Sequence, residues 1–386
     1  MTYLADRVNH FGTSIFSEMT ILANQHQAVN LGQGFPNWSG PDFLKQAAQE
    51  AIAADINQYA PGTGQANLRQ AVAAKMARHY GLDVDPDGEV FVTHGATEAL
   101  FAAIMGLVNP GDEVIIFEPF YDSYVPAVQM AGGRPRFYTL RPPDWSLDPD
   151  ELAALFNPNT KLILINTPHN PTGKIFSRQE LEMIAQLCQQ HDVIALTDEV
   201  YEHIIYDGRP HIPMATLPGM AERTLTVSSA GKTFSVTGWK IGWVVAKPAL
   251  IQAVLRSSQF IIFCGAAPLQ HAVGVGLETG DDYYAELAAR YQTKRDFLAE
   301  TLTEAGLQPI MPGGTYFIMA QIDHLGFADD VAFCKYLTSE IGVAAIPPSA
   351  FYSRPADGAG LARFAFCKTQ DVLEAAAERL LTLKAG

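Results

Sequence analysis

Residues 228–243 read SSAGKTFSVTGWKIGW. The apolar, β-prone run 224–227 leads into this segment and a second run, 243–246, leads out of it, so a strand is predicted on each side. Between these strands lie two lysines, Lys232 and Lys240. A lysine placed just after a buried strand loses solvation, and such lysines act as amine nucleophiles. Lys240, close to several hydroxyl groups in the sequence, has the charge to hold a phosphate.

Length and charge limit the possible functions. The chain has 386 residues, which is typical of about two domains, and its 48% hydrophobic content allows a large packed core. The formal net charge is −15, from 26 lysines and arginines against 41 aspartates and glutamates. This balance disfavours nucleic acid and anionic membrane surfaces as partners.

The cysteines and the apolar segments indicate the compartment. The four cysteines are scattered without a CxxC spacing, and we expect free thiols. The first ten residues lack the basic start and apolar run of a signal peptide. The most apolar helical run, 99–108, is too short to span a bilayer. The sequence therefore predicts a cytoplasmic protein.

Two buried strands are each followed by polar side chains. The apolar run 161–165 leads to Asn170, and the run 193–197 leads to Asp198 and Tyr201. An isolated buried carboxylate is costly, so Asp198 needs a partner, and a protonated ring nitrogen is one. The alternative is an Asp198 that caps a helix beside a packed Tyr201.

Two further strands end at groups suited to a planar, anionic ligand. A strand over 89–93 runs through a glycine turn into a helix, where the amides of Ala96 and Thr97 and the Thr97 hydroxyl form a candidate anion site. The strand 112–117 is followed by Tyr121, which could stack on a planar ring. Without the other motifs, a tyrosine that packs under a helix is equally consistent.

Two positions near the ends of the chain complete the set. Gly34 lies in a glycine-rich turn and allows close backbone approach to a ligand, although an ordinary loop glycine is an equal alternative. Arg363 lies within the apolar run 361–367, where a guanidinium needs an acceptor. A bound carboxylate fits its bidentate geometry, and the alternative is an internal salt bridge.

The segment 228–243 resembles the lysine region of class I pyridoxal 5'-phosphate (PLP) aminotransferases. Ser229, Gly231 and Gly242 stand at the small-residue positions of that pattern. Most of the class has arginine where this chain has Lys240, and lysine there is similar to the branch of kynurenine aminotransferase, glutamine transaminase K and methionine aminotransferase. The other motifs follow in the family's order over residues 12–380.

The resemblance implies a role for each motif. Lys232, Asp198 and Tyr201 would be catalytic, with Lys232 as general base and acid and Asp198 on the cofactor's ring nitrogen. The residues implied in cofactor binding are Tyr59, Ala96, Thr97, Tyr121, Asn170, Asp198, Tyr201, Ser229, Lys232 and Lys240. Those implied in substrate binding are Phe16, Gly34, Asn170 and Arg363. No metal site is implied.

The resemblance also implies the architecture, which is the α/β fold of fold-type-I PLP-dependent transferases. A large PLP-binding domain over residues 46–284 would hold a mostly parallel seven-stranded sheet. A smaller, discontinuous α+β domain would be built from residues 1–45 and 285–386. Tyr59 would reach the cofactor phosphate of a neighbouring subunit, so we expect a homodimer with shared active sites.

The activity implied is transfer of an amino group from an L-amino acid to a 2-oxo acid, with ping-pong kinetics through pyridoxamine phosphate. We find no second arginine for a distal carboxylate, which favours methionine, glutamine, kynurenine or phenylalanine types of donor. A cysteine S-conjugate β-lyase on the same fold is the alternative. A PLP-sensing regulator would need a DNA-binding domain, and a Rossmann dehydrogenase would need a GxGxxG motif after a strand, which we do not find.

Overall fold

The computed structural model describes residues 3–9 and 11–385. Its β-strands, numbered in chain order, are β1 Val29–Asn30, β2 Val90–Thr93, β3 Glu113–Glu118, β4 Arg134–Thr139, β5 Thr160–Asn166, β6 Ile194–Asp198, β7 Thr224–Ser229, β8 Gly242–Val245, β9 Gln308–Ile310, β10 Phe317–Gln321, β11 Val343–Ala344 and β12 Leu361–Ala365. Its α-helices are α1 Ile15–Gln25, α2 Asp42–Ala53, α3 Ala66–Tyr80, α4 Gly95–Leu107, α5 Tyr124–Met130, α6 Pro149–Ala153, α7 Arg178–His191, α8 Ala230–Thr233, α9 Pro248–Ser258, α10 Ala267–Leu277, α11 Asp281–Glu304, α12 Asp330–Tyr336 and α13 Gln370–Leu380.

Seven of these strands form one sheet, in the order β2-β8-β7-β6-β5-β3-β4. Strand β8 runs antiparallel to both of its neighbours, and the remaining pairs are parallel. This confirms the predicted mostly parallel seven-stranded sheet. The carboxyl ends of β3, β5, β6 and β7 therefore lie along one edge, where open α/β sheets bind ligands.

Helices cover both faces of this sheet, which explains the continuous apolar runs. On β5, Leu162 and Leu164 pack into a core with residues of α4 and α9, whereas Ile163 and Ile165 pack into a second core with α7. Side chains alternate between faces along a strand, so a strand buried on both sides must be apolar at every position.

A second α+β region contains the antiparallel sheet β12-β10-β9 and the parallel pair β1-β11. One hydrophobic cluster here joins Met19 of α1 and Leu31 to residues of α11, α13 and β10. Both ends of the chain thus contribute to this region, as the fold-type-I resemblance implies. The predicted boundaries at 45/46 and 284/285 fall inside α2 and α11, and the exact division stays a prediction.

The cysteines and the apolar helices of the structure bear on two expectations from the sequence, namely free thiols and no helix that spans a bilayer. All four cysteines are free thiols, and three of them are buried. In the part of the chain that the structure describes, no helix has the length and apolar character needed to cross a membrane.

Candidate active site

A cavity of about 320 Å³ opens at the carboxyl edge of the seven-stranded sheet, beside the ends of β5, β6 and β7. The sequence-predicted site residues that line it are Phe16, Gly34, Ala96, Thr97, Tyr121, Asn170, Asp198, Tyr201, Ser229, Lys232, Lys240 and Arg363. Of the predicted set, Tyr59 lies elsewhere. The fold therefore brings residues from both ends of the chain and from its middle to one place, while their individual roles stay predictions.

Lys232 projects into this cavity from a helix that begins directly after β7. Ser229 is the extended N-cap of α8, and Lys232 follows within its first turn. Its Nζ lies 5.7 Å from the ring centroid of Tyr201 and 5.6 Å from that of Tyr316. Burial disfavours the charged amine and lowers the pKa of Lys232 to about 8. A larger neutral fraction makes this amine a better nucleophile and base near neutral pH.

Asp198 ends β6 at the wall of the cavity and is 4% exposed. Its Oδ2 accepts a hydrogen bond from the Tyr124 hydroxyl at 2.7 Å, and the backbone N–H of Val200 donates to Oδ1 at 3.4 Å. Burial raises the pKa of Asp198, and these two hydrogen bonds oppose the rise. The residues after Asp198 form turns, not a helix, so the helix-capping alternative does not apply.

Two residues that the sequence reasoning missed hold the Asp198 region in place. Besides Tyr124, the amide of Asn166 donates through Nδ2 to the backbone carbonyl of Asp198 at 2.8 Å. The Oδ1 atom of Asn166 accepts from the backbone N–H of Asn170 at 2.6 Å. A polar residue at the carboxyl end of a buried strand was the available signal for Asn166. Tyr124 gave no such signal, because its partner lies 74 positions away.

The N-terminus of α4 and Lys240 lie close together at the cavity wall and form a candidate anion site. Gly95 begins α4 with a φ of +78°, and a Cβ built there would be 3.2 Å from Nζ of Lys240. A Cβ built on Gly242 would be 2.7 Å from the carbonyl carbon of Gly95. Both glycines are therefore needed for the close approach of this lysine to the first turn of α4, where Ala96 and Thr97 line the cavity. Unpaired helix amides beside a lysine charge bind phosphate well.

The remaining predicted cofactor residues suit a planar ring. Tyr121 follows the end of β3, hydrogen-bonds to Thr97, and has its pKa raised to about 12 by burial. Asn170 and Tyr201 are buried polar groups on the cavity wall. An anion site, an aromatic side chain, a buried carboxylate and an amine in one cavity are the groups that a phosphorylated pyridine aldehyde needs. The residues present therefore fit PLP.

Arg363 carries a buried charge without a carboxylate partner. It is 1% exposed, and its guanidinium donates to Oδ1 of Asn170 at 3.3 Å and to the carbonyl of Gly32 at 2.8 Å. Its Nε has no partner in the described structure. Burial lowers the pKa of Arg363 to about 10. None of the ion pairs between described residues includes Arg363, so the structure shows no internal salt bridge there, and a ligand carboxylate as its partner stays a prediction.

Aromatic rings surround this guanidinium. Its Cζ lies 4.2 Å from the ring centroid of Phe317, 5.0 Å from that of Phe16 and 5.4 Å from that of Phe351. A Cβ built on Gly34 would be 2.5 Å from Cζ of Phe317, so glycine is needed for the backbone to pass this close to the ring. Phe16 thus lies beside Arg363 and Gly34 beside Phe317, and both line the cavity, while their roles in substrate binding stay predictions.

The charged groups that line the cavity are few. The cations are Lys232, Lys240 and Arg363, and the carboxylates are Asp122 and Asp198. Among the described residues, no group of histidines, cysteines and carboxylates is arranged to hold a metal ion. Asp122 is a further cavity residue that the sequence reasoning did not single out.

Tyr59 lies on the surface, outside the cavity of its own chain. It is 83% exposed and packs edge-on against Phe263, with ring centroids 5.5 Å apart. The neighbouring segment 260–263 is also exposed and apolar, with Phe260 84% exposed. Tyr59 therefore does not contribute to the cavity of its own chain.

Comparison with known proteins gives consistent matches along the chain. The family model Aminotransferase class I and II matches residues 26–380. A solved N-succinyldiaminopimelate aminotransferase from Mycobacterium tuberculosis is 47% identical, covers 98% of this chain and 100% of its own, and has a TM-score of 0.96. Methionine aminotransferase of Escherichia coli K12 is 43% identical, with 98% of this chain and 97% of the relative covered. Kynurenine–oxoglutarate transaminase of Dictyostelium discoideum is 41% identical, with 100% and 98% covered.

Proposed function

Because this chain belongs to the class I and II aminotransferases, we propose that it transfers the amino group of a neutral L-amino acid to a 2-oxo acid. Aminotransferases of this class depend on PLP, and so does this enzyme. The donors proposed are of the methionine, glutamine, kynurenine or phenylalanine type. The observation that carries the proposal is the meeting of Lys232, Asp198 and Arg363 in one cavity.

The residues that would hold PLP follow from the geometry of the cavity. Its phosphate would bind at Lys240, the amides of Ala96 and Thr97 and the hydroxyl of Ser229. Its ring nitrogen would face Asp198. Asn170 and Tyr201 would bind the ring oxygen, and Tyr121 would stack on the ring. When bound, PLP supplies an aldehyde that accepts the amino group and a ring that withdraws electrons from the substrate's α-carbon.

The chain's own side chains would then position the substrate and move one proton. Arg363 binds the α-carboxylate, which fixes the α-carbon relative to Lys232. The neutral Lys232 amine accepts the α-proton through Nζ and returns it. The hydrogen bond from Tyr124 favours the ionised form of Asp198, and the ionised carboxylate would stabilise positive charge on the ring nitrogen. The aromatic wall around Arg363 limits the access of water.

The charge of the cavity supports a neutral donor. After Arg363, Lys232 and Lys240 take their roles, no lining cation of the described chain is left for a side-chain carboxylate. Apolar groups such as Phe16, Leu100 and Phe317 line the rest of the wall. The names of the methionine and kynurenine relatives agree with this class.

One relative favours a second candidate donor. The 47% identical protein is named for N-succinyldiaminopimelate, whose side chain carries carboxylates beyond the α-amino acid group. Within the described chain, these carboxylates would lack a cationic partner in the cavity. We therefore rank this donor after the neutral amino acids and include it in the assay.

We also propose that the enzyme works as a homodimer with shared active sites. Tyr59 and Phe260 are more than four-fifths exposed, beside further apolar residues of the segment 260–263. Such an apolar patch is typical of a protein interface. A second copy of the chain would cover the patch and receive the Tyr59 hydroxyl at its cofactor phosphate.

The test is a set of donors assayed with a common 2-oxo acid acceptor. We expect turnover of glutamine, methionine, kynurenine and phenylalanine, and weak or no turnover of aspartate. Lys232→Ala should lose activity by at least about a thousandfold, because both the nucleophile and the proton carrier are removed. Turnover of aspartate or N-succinyldiaminopimelate far above the neutral donors would overturn the substrate proposal.

The β-lyase alternative is tested with a cysteine S-conjugate in the absence of an acceptor. Release of ammonia and pyruvate faster than the transamination of methionine would favour the lyase as the main activity. We expect the reverse order of rates.

A further inference from the structure

The loop over residues 32–35 is held in place by side chains. It follows β1, and Gln33 and Gly34 within it line the cavity. Among the described residues, no backbone N–H donates to the carbonyl groups of residues 32–35. A loop without such backbone pairing depends on side chains to satisfy its carbonyls. The donors to these carbonyls therefore decide where Gln33 and Gly34 lie in the cavity.

Lys368 is the donor that bridges the middle of this loop. Its Nζ lies 3.0 Å from the carbonyl oxygen of Gln33 and 3.0 Å from that of Phe35, so one ammonium group spans Gly34. Lys368 is 5% exposed, and none of the ion pairs between described residues includes it. Burial lowers the pKa of its ammonium group. A buried charge without a counter-charge is costly, and an apolar side chain would fill this space at lower cost.

The other two carbonyls of the loop accept hydrogen bonds from Arg363 and Tyr316. The Arg363 guanidinium donates to the carbonyl of Gly32 at 2.8 Å, and the Tyr316 hydroxyl donates to that of Gly34 at 2.6 Å. Of the three donors, Arg363 lines the cavity, whereas Tyr316 and Lys368 are not among its lining residues. The bond to Gly32 orients the guanidinium, so a displacement of the loop would also turn the group proposed to bind the α-carboxylate.

We propose that Lys368 is a positioning residue of the substrate site, which holds the backbone of residues 33–35 in the shape that keeps the Arg363 guanidinium directed at a substrate carboxylate. This inference rests on the proposed function and adds a residue that acts without touching the substrate. Hydrogen bonds from an ammonium group to carbonyls are charge-assisted and stronger than neutral ones. Lys368 follows β12, the strand that carries Arg363, so the two cations hold the loop from one segment of the chain.

A positioning role through Arg363 has a specific kinetic consequence. The contact between the guanidinium and the carboxylate is present in the bound substrate as well as in the transition state, so its weakening should raise KM more than it lowers kcat. The proton transfer at Lys232 does not involve the carbonyls of the loop. Because the α-carboxylate is common to all donors, the rise in KM should be of similar size for donors with different side chains.

The experiment measures KM and kcat of the PLP-loaded enzyme for methionine and for phenylalanine, at a saturating concentration of one 2-oxo acid. Lys368→Met keeps an extended side chain and removes its donors, so we expect KM to rise at least about tenfold for both amino acids, with kcat within about threefold of the natural value. Lys368→Arg keeps a charged donor and should restore most of the affinity. Arg295→Met is the matched control, because it removes a buried cation of α11 that pairs with Asp207 and Asp296, and it should leave KM unchanged.

A second variant tests the same loop if Lys368→Met does not fold. Tyr316→Phe removes only the hydroxyl that donates to the carbonyl of Gly34. We expect KM to rise at least about threefold in this variant, again for both amino acids. An unchanged KM in Tyr316→Phe, when Lys368→Met does not fold, would overturn the inference.

The remaining outcomes also decide the matter. An unchanged KM in Lys368→Met, or an equal rise in Arg295→Met, would show that Lys368 has only a general structural role, and the inference would be wrong. A rise for only one of the two amino acids would place the effect at the donor's side chain, which also contradicts it. If the natural enzyme transaminates no donor, the proposed function itself fails, and this result precedes any variant.

Discussion

At Lys232, burial works against the positive charge that a lysine normally carries. With a pKa of about 8, the neutral fraction of the amine rises about tenfold per pH unit as the pH increases toward 8, and it levels off above that pH. An exposed lysine would keep gaining neutral amine up to a pH of about 10.4. This difference in pH dependence between Lys232 and an exposed lysine can be measured without catalytic turnover.

We predict that apoenzyme captures PLP on Lys232 at a rate that rises with pH to about 8 and then flattens. The rate can be followed by absorbance after mixing at a series of pH values. The matched control is the reaction of PLP with Nα-acetyl-lysine in the same buffers, which corrects for the titration of PLP. A rate that continues to rise in parallel with this exposed lysine would contradict the account of Lys232.

Tyr124 supplies the side-chain hydrogen bond on Asp198, and its removal should change the ionisation of that carboxylate. In Tyr124→Phe the opposing hydrogen bond is lost, so the pKa of Asp198 should rise further above its ordinary range. The charged form is then lost at a higher pH. We expect kcat to fall by about tenfold and the acid limb of the kcat profile to move to higher pH.

A buried tyrosine outside the cavity provides the control for this change. Tyr138 also hydrogen-bonds through its hydroxyl, accepting from the backbone N–H of Asp148 at 2.7 Å. Tyr138→Phe should leave the acid limb in place. An equal displacement in both variants, or none in Tyr124→Phe, would show that the hydroxyl does not act through Asp198.

At the scale of elements, a buried ion pair joins α3 to the loop after β6. Nζ of Lys75 lies 2.5 Å from Oε2 of Glu202, and both side chains are almost fully buried. The other oxygen of Glu202 accepts from the Ser228 hydroxyl on β7 at 2.6 Å. The pair therefore ties together the segments that carry Tyr201 and Ser229 into the cavity.

We predict that Lys75→Met lowers the free energy of unfolding by about 3–5 kcal/mol, because Glu202 loses its buried cationic partner and keeps only hydroxyl donors. Urea unfolding at a fixed protein concentration measures this change. Arg178→Met breaks an exposed pair with Glu182, whose side chains are 61% and 48% exposed, and should cost less than about 1 kcal/mol. Equal losses in the two variants would mean that burial of the pair has no special effect.

The elements also show what local sequence could and could not predict. The continuous apolar runs predicted β5 and β6, because a strand covered on both faces leaves no choice of polarity. Lys232 and Arg363 stood out because a charge beside an apolar run needs a specific reason. Tyr124 and Asp122 did not stand out, since their significance depends on groups that the fold brings close from distant positions. The predicted domain boundaries inside α2 and α11 stay predictions, since a helix can continue across a change of packing partner.

At the scale of the whole molecule, the central question is whether two chains complete each other's sites. The exposed Tyr59 and the apolar segment 260–263 are the features of one chain that a second copy would use. A shared site has a consequence that a self-contained site lacks. Two inactive variants with substitutions at different residues of the site can form an active mixed dimer when they are combined.

We predict that Lys232→Ala and Tyr59→Glu chains, each of low activity, regain about a quarter of the natural activity when dissociated and reassociated together. The mixed dimer then contains one site with an intact Lys232 from one chain and an intact Tyr59 from the other. The control pairs Lys232→Ala with Arg363→Ala, two residues that line the cavity of one chain, and should give no recovery. Equal recovery in both mixtures, or none in the first, would contradict the shared site.

The most direct test of the account is a single half-reaction of the PLP-loaded enzyme, without any 2-oxo acid. We predict that the absorbance of bound PLP changes to that of pyridoxamine phosphate when methionine or glutamine is added, that one equivalent of 2-oxo acid is released per site, and that aspartate has little effect. Lys232→Ala should bind PLP without this conversion. A protein that binds no PLP, or whose spectrum no amino acid changes, would contradict the claim that this cavity is an aminotransferase site.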